Sequence, residues 1–179
     1  MAAAYDIFTS AKDFINFSAE DEANLRSLGP VFARHGAAIT DAFYGTLARF
    51  PATAKLIEGR VDMLKATHHR WMGELFAGEY GETYFHNRVR IGMVHVKVGI
   101  DPVFVECVCS LLRVAGHEAM RKEIPDTEEL SRKFASYCKI IDLDLILINL
   151  AYNEERLDRL SAVTGMRRNL IENLVKART

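Results

Sequence analysis

Apolar residues recur at spacings of three and four along most of the chain, the period of a helix that buries one stripe. Leu64, His68, Trp71 and Leu75 form one stripe; Tyr84, Arg88, Ile91, His95 and Val98 form another; Thr40, Tyr44 and Leu47 share a third face. Helix punctuation separates the stripes. Ser18-Ala-Glu-Asp21 predicts a helix start, with acids in the first turn where the backbone dipole favours them, and a helix to about Ser27. Gly29-Pro30 predicts a break and a second helix that runs to Phe50 and is closed by Pro51. A short helix or turn over 51–57 follows, then a helix over about 60–76 ended at Ala77-Gly78, then the helix of His95, which stops at Gly99. Asp101-Pro102 combines an N-cap with a proline at the first helical position, where its missing N–H costs nothing, and predicts a helix to about Lys122. Ile124-Pro125-Asp126 repeats that punctuation before a last long helix over about 127–152. The alternating run Val94 to Val98 could read as a strand, but its helical neighbours decide against it. The expected class is all-α, with no internal repeat.

The two ends differ from this middle. Residues 1–17 carry Tyr5, Ile7, Phe8, Phe14, Ile15 and Phe17, too many large apolar groups for a disordered tail, so they should pack on something as an extension. Residues 153–179 are polar, with Leu157, Leu160, Leu170 and Leu174 spaced for a narrow helical seam that Gly165 weakens in its middle. A solvated helical tail and a connector to a further domain both fit. The expected division is an N-terminal extension over 1–17, a main domain over 18–152 and a tail or connector over 153–179.

Composition narrows the function classes. With 179 residues, the chain has room for one well-buried domain plus an appendage. A formal net charge of −1 leaves no basic footprint for nucleic acid. Cys107, Cys109 and Cys138 are odd in number and form no Cys-x-x-Cys pair, which argues against a disulfide framework or zinc knuckle and suits a reducing cytoplasm. The most apolar run, Ile140 to Tyr152, is short and broken by Asp142, Asp144 and Asn149, so it reads as a core helix and not a membrane span. No Ser-His-Asp set, phosphate loop or His-Glu-x-x-His motif is recognisable, and His117-Glu-Ala-Met-Arg121 lacks the second histidine.

That leaves the imidazoles on apolar faces, His95 and His68. By spacing alone each fits a buried, hydrogen-bonded core residue better than a ligand. The residues around them carry a resemblance. Arg90-Ile-Gly-Met-Val-His-Val-Lys-Val-Gly-Ile-Asp-Pro102 resembles the Arg-Ile-Gly-x-x-His-x-x-(Ile/Val)-Gly-(Leu/Ile)-x-Pro signature of globin-coupled sensors, bacterial haem-based gas sensors. Phe43-Tyr-Gly-Thr-Leu-Ala-Arg-Phe-Pro51, Leu64-Lys-Ala-Thr-His-His-Arg-Trp-Met-Gly-Glu-Leu-Phe-Ala-Gly78 and Tyr84-x-x-x-Arg88 fall in the family's order, so the likeness covers roughly residues 15–150.

The resemblance implies a globin fold of the sensor type, with an extra N-terminal helix and a short or reduced region between the second helix and the distal one. It implies haem b as cofactor, His95 as proximal iron ligand, and O2, CO and NO as ligands. Tyr44 matches the family tyrosine whose hydroxyl donates to the bound gas. The slot a flat apolar macrocycle needs would be walled by Ile91, Val94 and Val98 beside Met93, and by Leu64, Thr67 and Trp71 from the facing helix. Phe43, Leu47 and Phe50 could close one end, and Arg88, Lys97 and Lys65 are candidates for the propionates. His68 departs from the apolar or Thr residue common in relatives; a buried imidazole needs a partner, and the options are iron, as a sixth ligand displaced by gas, or Tyr44 or a water. His69, His86 and His117 read as surface or ordinary helix residues. The family also implies a homodimer through the last two long helices, with the faces Cys107–Leu112 and Ile140–Leu150 as candidates, and a C-terminal output domain. A haem-free globin-fold signalling module and a redox or nitric-oxide-detoxifying globin are the alternatives; otherwise the chain is a binding protein and not an enzyme.

Overall fold

The computed structural model describes residues 2–177, so Met1, Arg178 and Thr179 at the ends of the expected extension and tail lie outside the described residues. The described chain consists of eight helices: α1 (Ala2–Phe14), α2 (Ala19–Arg49), α3 (Pro51–Ile57), α4 (Val61–Leu75), α5 (Glu82–Val98), α6 (Pro102–Glu123), α7 (Thr127–Thr164) and α8 (Arg168–Lys176). α7 runs against α5 and α6, α2 packs across α4, α6 and α7, and α1 lies on α5 and α7. The expected all-α class holds, and Val94 to Val98 is helical.

Local chemistry accounts for most boundaries. The Asp101 carboxylate accepts from the Val103 N–H at 2.9 Å with Pro102 opening α6, and Asp126 accepts from the Glu129 N–H at 2.7 Å to open α7. Gly99, at φ 74°, ends α5 in the left-handed conformation that glycine alone adopts without a steric penalty. Two boundaries differ from expectation. Pro30 does not divide the helix: α2 continues through it, because Leu25, Leu28, Val31 and Phe32 on either side are all buried in one core, and packing outweighs the lost hydrogen bond. The last helix does not end at Tyr152 either but runs to Thr164, where Gly165, at φ 69°, caps it. The expected seam is therefore interrupted, not merely weakened. α8 turns back on α7, with Ile171 buried and Arg168 bonded to Glu154 and Asp158 of α7 and to Glu172 of its own helix.

The N-terminal helix packs on its own domain. Phe8 is 1% exposed among core residues, and Tyr5 meets Phe85 of α5 edge-on at 5.2 Å between centroids, whereas Phe14 projects into solvent. The α5–α7 crossing is close: a Cβ on Gly92 would stand 2.8 Å from the Ala151 Cβ and 3.1 Å from the Ile148 Cα. Beside it a small cluster of Val96, Val105, Ile148, Ala151 and Tyr152 is closed by the Tyr152 hydroxyl, which donates to the Ile100 carbonyl at 2.6 Å and ties the α5–α6 corner to α7. No helix among the described residues is long and apolar enough to cross a membrane.

Of the faces expected for dimer contact, Cys109, Leu112, Ile140, Ile141, Leu143 and Leu147 belong to the chain's own core. The apolar face that α6 leaves to solvent is Val103, Cys107, Leu111 and Val114. Gly92→Val should destabilise the fold by about 2 kcal/mol or more, because the backbone of α7 cannot yield as a side chain would. A urea unfolding midpoint no lower than that of the unsubstituted chain would show that the crossing has slack.

Candidate functional site

His95 sits in the last turn of α5, one turn beyond Gly92. Its Nδ1 pairs with the Ile91 carbonyl at 2.8 Å, so the ring is held and Nε2 remains the free nitrogen. As the partner is a carbonyl, Nδ1 carries the proton and Nε2 the lone pair. Burial lowers the pKa of this imidazole, against the opposing effect of the Ile91 bond, which keeps the ring neutral. A neutral, oriented imidazole with a free Nε2 is what a transition-metal ion takes.

His95 lines a half-open apolar cleft of about 90 Å³ between α2, α3, α5 and α6. Phe43 and Leu47 of α2 form part of its wall, whereas Phe50, expected to close the same end, is 54% exposed and not among the lining residues. Leu56, Ile57, Phe104 and Val108, from α3 and α6, form much of the rest, with Thr53, Ile100 and Val105 beside them. The sequence reading missed that half of the cleft because ordinary core spacing in a helix does not tell which cavity a residue borders.

Behind Phe43 lies the second imidazole. The His68 ring is 5.0 Å from Phe43, 5.1 Å from Trp71 and perpendicular to Tyr44 at 6.1 Å between centroids. Its Nδ1 pairs with the Thr40 hydroxyl at 2.9 Å. Its Nε2 is, among the described residues, the one buried side-chain nitrogen or oxygen left without a hydrogen-bond partner. Burial pushes its pKa down to about 4, so it too is neutral. Tyr44 is buried, which pushes its hydroxyl up to about 12 and keeps it a donor.

Other expected site residues are sorted by the fold. Leu64, Trp71, Ile91 and Val98 are half-buried, whereas Thr67 is exposed and bonds the Met63 carbonyl of its own helix, and Val94 is 53% exposed. Thr67 and Val94 thus border solvent in this structure because each lies at the edge of its helix's buried stripe, one position from His68 and His95. His69 is exposed, as expected. Of the propionate candidates, Lys65 pairs with Asp41 at 2.7 Å, and Lys97 is exposed. Arg88 is not available at any rim.

Arg88 is instead 0% exposed and belongs to a buried polar cluster that the sequence reading did not find. Asp144 of α7 accepts from the Trp71 indole N–H at 2.7 Å, from Arg88 at 2.9 Å and from the Tyr84 hydroxyl. Arg88 also pairs with Glu74 of α4. Burial pushes the Asp144 carboxyl up and the Arg88 charge pushes it back; every group that meets its oxygens is a donor, the arrangement of an ionised carboxylate. The signal that could have revealed the cluster was Arg88 itself, a charge at a core position of the His95 stripe. Asp144→Ala should cost about 3–5 kcal/mol in urea unfolding, since it strands a buried guanidinium. A loss below about 1 kcal/mol would mean that Arg88 finds water or Glu74 instead.

The residue chemistry suits haem: an oriented neutral imidazole on an apolar cleft and, behind Phe43 and outside that cleft's lining, a second imidazole with an unpartnered buried nitrogen beside Tyr44. Among the described residues no cluster of His, Cys, Asp and Glu offers an alternative metal site. A model of the Protoglobin family matches residues 5–158. Among solved structures, the globin domain of a Geobacter sulfurreducens globin-coupled sensor is similar at 31% identity and a TM-score of 0.77, over 80% of this chain and 96% of that one. The globin domain of E. coli DosC, in a ferric form, is similar at 16% identity and a TM-score of 0.67, over 82% of this chain and 98% of that one, a likeness of fold alone.

Proposed function

The chain belongs to the Protoglobin family and has the fold of a sensor-globin domain; from that premise we propose that it binds haem b through His95 and senses a diatomic gas. The observation that carries this reading is His95 itself, a neutral imidazole with Nδ1 tied to the Ile91 carbonyl and Nε2 free beside an apolar cleft. Bound haem would supply the iron that takes O2, CO or NO.

The chain's own residues divide the remaining work. His95 holds the cofactor from α5. Tyr44 keeps its proton and donates to a bound gas; a positioned donor in a dry pocket favours O2, which gains negative charge, over CO. His68 offers Nε2 as an internal sixth ligand in the absence of gas, the option favoured because that buried nitrogen has no hydrogen-bond partner among the described residues. Exchange between His68 and gas would shift α4 and α5 relative to α7, which would pass the change to an output partner. A homodimer would form through the solvent-facing stripe of α6, Val103, Cys107, Leu111 and Val114, together with α7. The retention of both His95 and Tyr44 weighs against a haem-free interaction module.

The visible spectrum of the reduced, gas-free chain tests this reading. Split bands of a low-spin six-coordinate iron are expected, and His68→Ala should convert them to one broad five-coordinate band. A broad high-spin band in the unsubstituted chain would remove His68 from the iron. Tyr44→Phe should speed O2 release about ten-fold or more, the effect of one hydrogen bond to a charged acceptor, and leave CO release nearly unchanged. Equal effects on both gases in stopped-flow release would show that Tyr44 acts by bulk, not as a donor.

A further inference from the structure

The proposed function leaves open why His68 would present a lone pair at Nε2. A neutral imidazole carries one proton on either nitrogen, and the hydrogen bond at one nitrogen decides the chemistry of the other. Among the described residues, the one hydrogen-bond partner of the His68 ring is Thr40, a buried residue of α2, whose Oγ1 lies 2.9 Å from Nδ1. Three aromatic rings also surround it: Phe43, Trp71 and the edge of Tyr44.

We propose that Thr40 sets the tautomer of His68, accepting Nδ1–H so that Nε2 carries the lone pair and is the nitrogen offered to the distal pocket. The opposite arrangement, with the hydroxyl donating to Nδ1, leaves an N–H at Nε2 buried without an acceptor. Orphaned buried N–H groups are rarer than under-used acceptors. Thr40 is then a positioning residue. It makes His68 a ligand and leaves Tyr44 as the donor, so the two distal residues do not compete for one role. A threonine on α2 thereby governs an imidazole on α4.

The inference rests on the haem-site reading, but its test separates the two. Histidine ¹⁵N NMR of the purified chain, under CO where it carries haem, reads the tautomer directly, with His68 assigned by comparison with His68→Ala. A pyridine-type Nε2 is expected in the unsubstituted chain and in Thr40→Ser, and a protonated Nε2 in Thr40→Val, which keeps the shape and removes the acceptor. The gas-free ferrous spectrum gives the second readout: loss of such a supporting partner typically weakens metal binding by about 10–100-fold. Thr40→Val should therefore convert most of the six-coordinate iron to five-coordinate, and Thr40→Ser should retain it. A protonated Nε2 in the unsubstituted chain, or an unchanged tautomer in Thr40→Val, overturns the inference. A five-coordinate spectrum in the unsubstituted chain overturns the sixth-ligand reading instead, while the NMR result still decides the role of Thr40.

Discussion

The Asp144 carboxylate, buried in the middle of α7, is the constraint on which the rest of the structure depends. An ion of this kind costs several kcal/mol to remove from water, and only a full set of donors offsets that cost. Trp71 of α4 and Tyr84 and Arg88 of α5 supply the set, and Arg88 reaches on to Glu74 of α4. The three helices are therefore fixed to one another by directional bonds as well as by apolar packing. Such a cluster adds little net stability over a well-packed apolar core, but it permits few arrangements, because any slip leaves a charge unpaired.

Both imidazoles inherit their positions from this arrangement. Trp71 is tethered at its indole N–H, and its ring forms one wall of the His68 site. Arg88 lies seven residues before His95 on the same face of α5, and Gly92 between them brings the helix against α7. The two imidazoles are thus set by one carboxylate on α7. A change at either imidazole must act on that cluster or on the Gly92 crossing to reach α7, and both are intolerant of small displacements.

What could be read in the sequence was whatever chemistry acts within a turn or two. Asp101-Pro102, Asp126 and Gly99 specify helix ends through bonds to their own neighbours, and the structure has those bonds. Pro30 misled because its local cost is outweighed by buried side chains whose partners lie on α4, α6 and α7. Asp144 read as a polar interruption of an apolar helix, since Trp71 and Arg88 lie 73 and 56 residues away along the chain. For the same reason Arg88 passed as a rim cation, although a charge on a buried stripe already calls for a buried partner. Tyr44, His68 and His95 were reached through a resemblance of motif, whereas Thr40, which meets His68 across 28 residues, was visible only as a member of a helical face.

The central claim is that His95 holds a haem in the cleft it borders. Titration of the haem-free chain with haem, followed by absorbance and repeated with His95→Ala, tests it most directly. The account predicts saturation at one haem per chain, with binding in the variant weakened by at least about ten-fold or unable to saturate. Absence of saturable binding in the unsubstituted chain, or equal affinity in the variant, would contradict it.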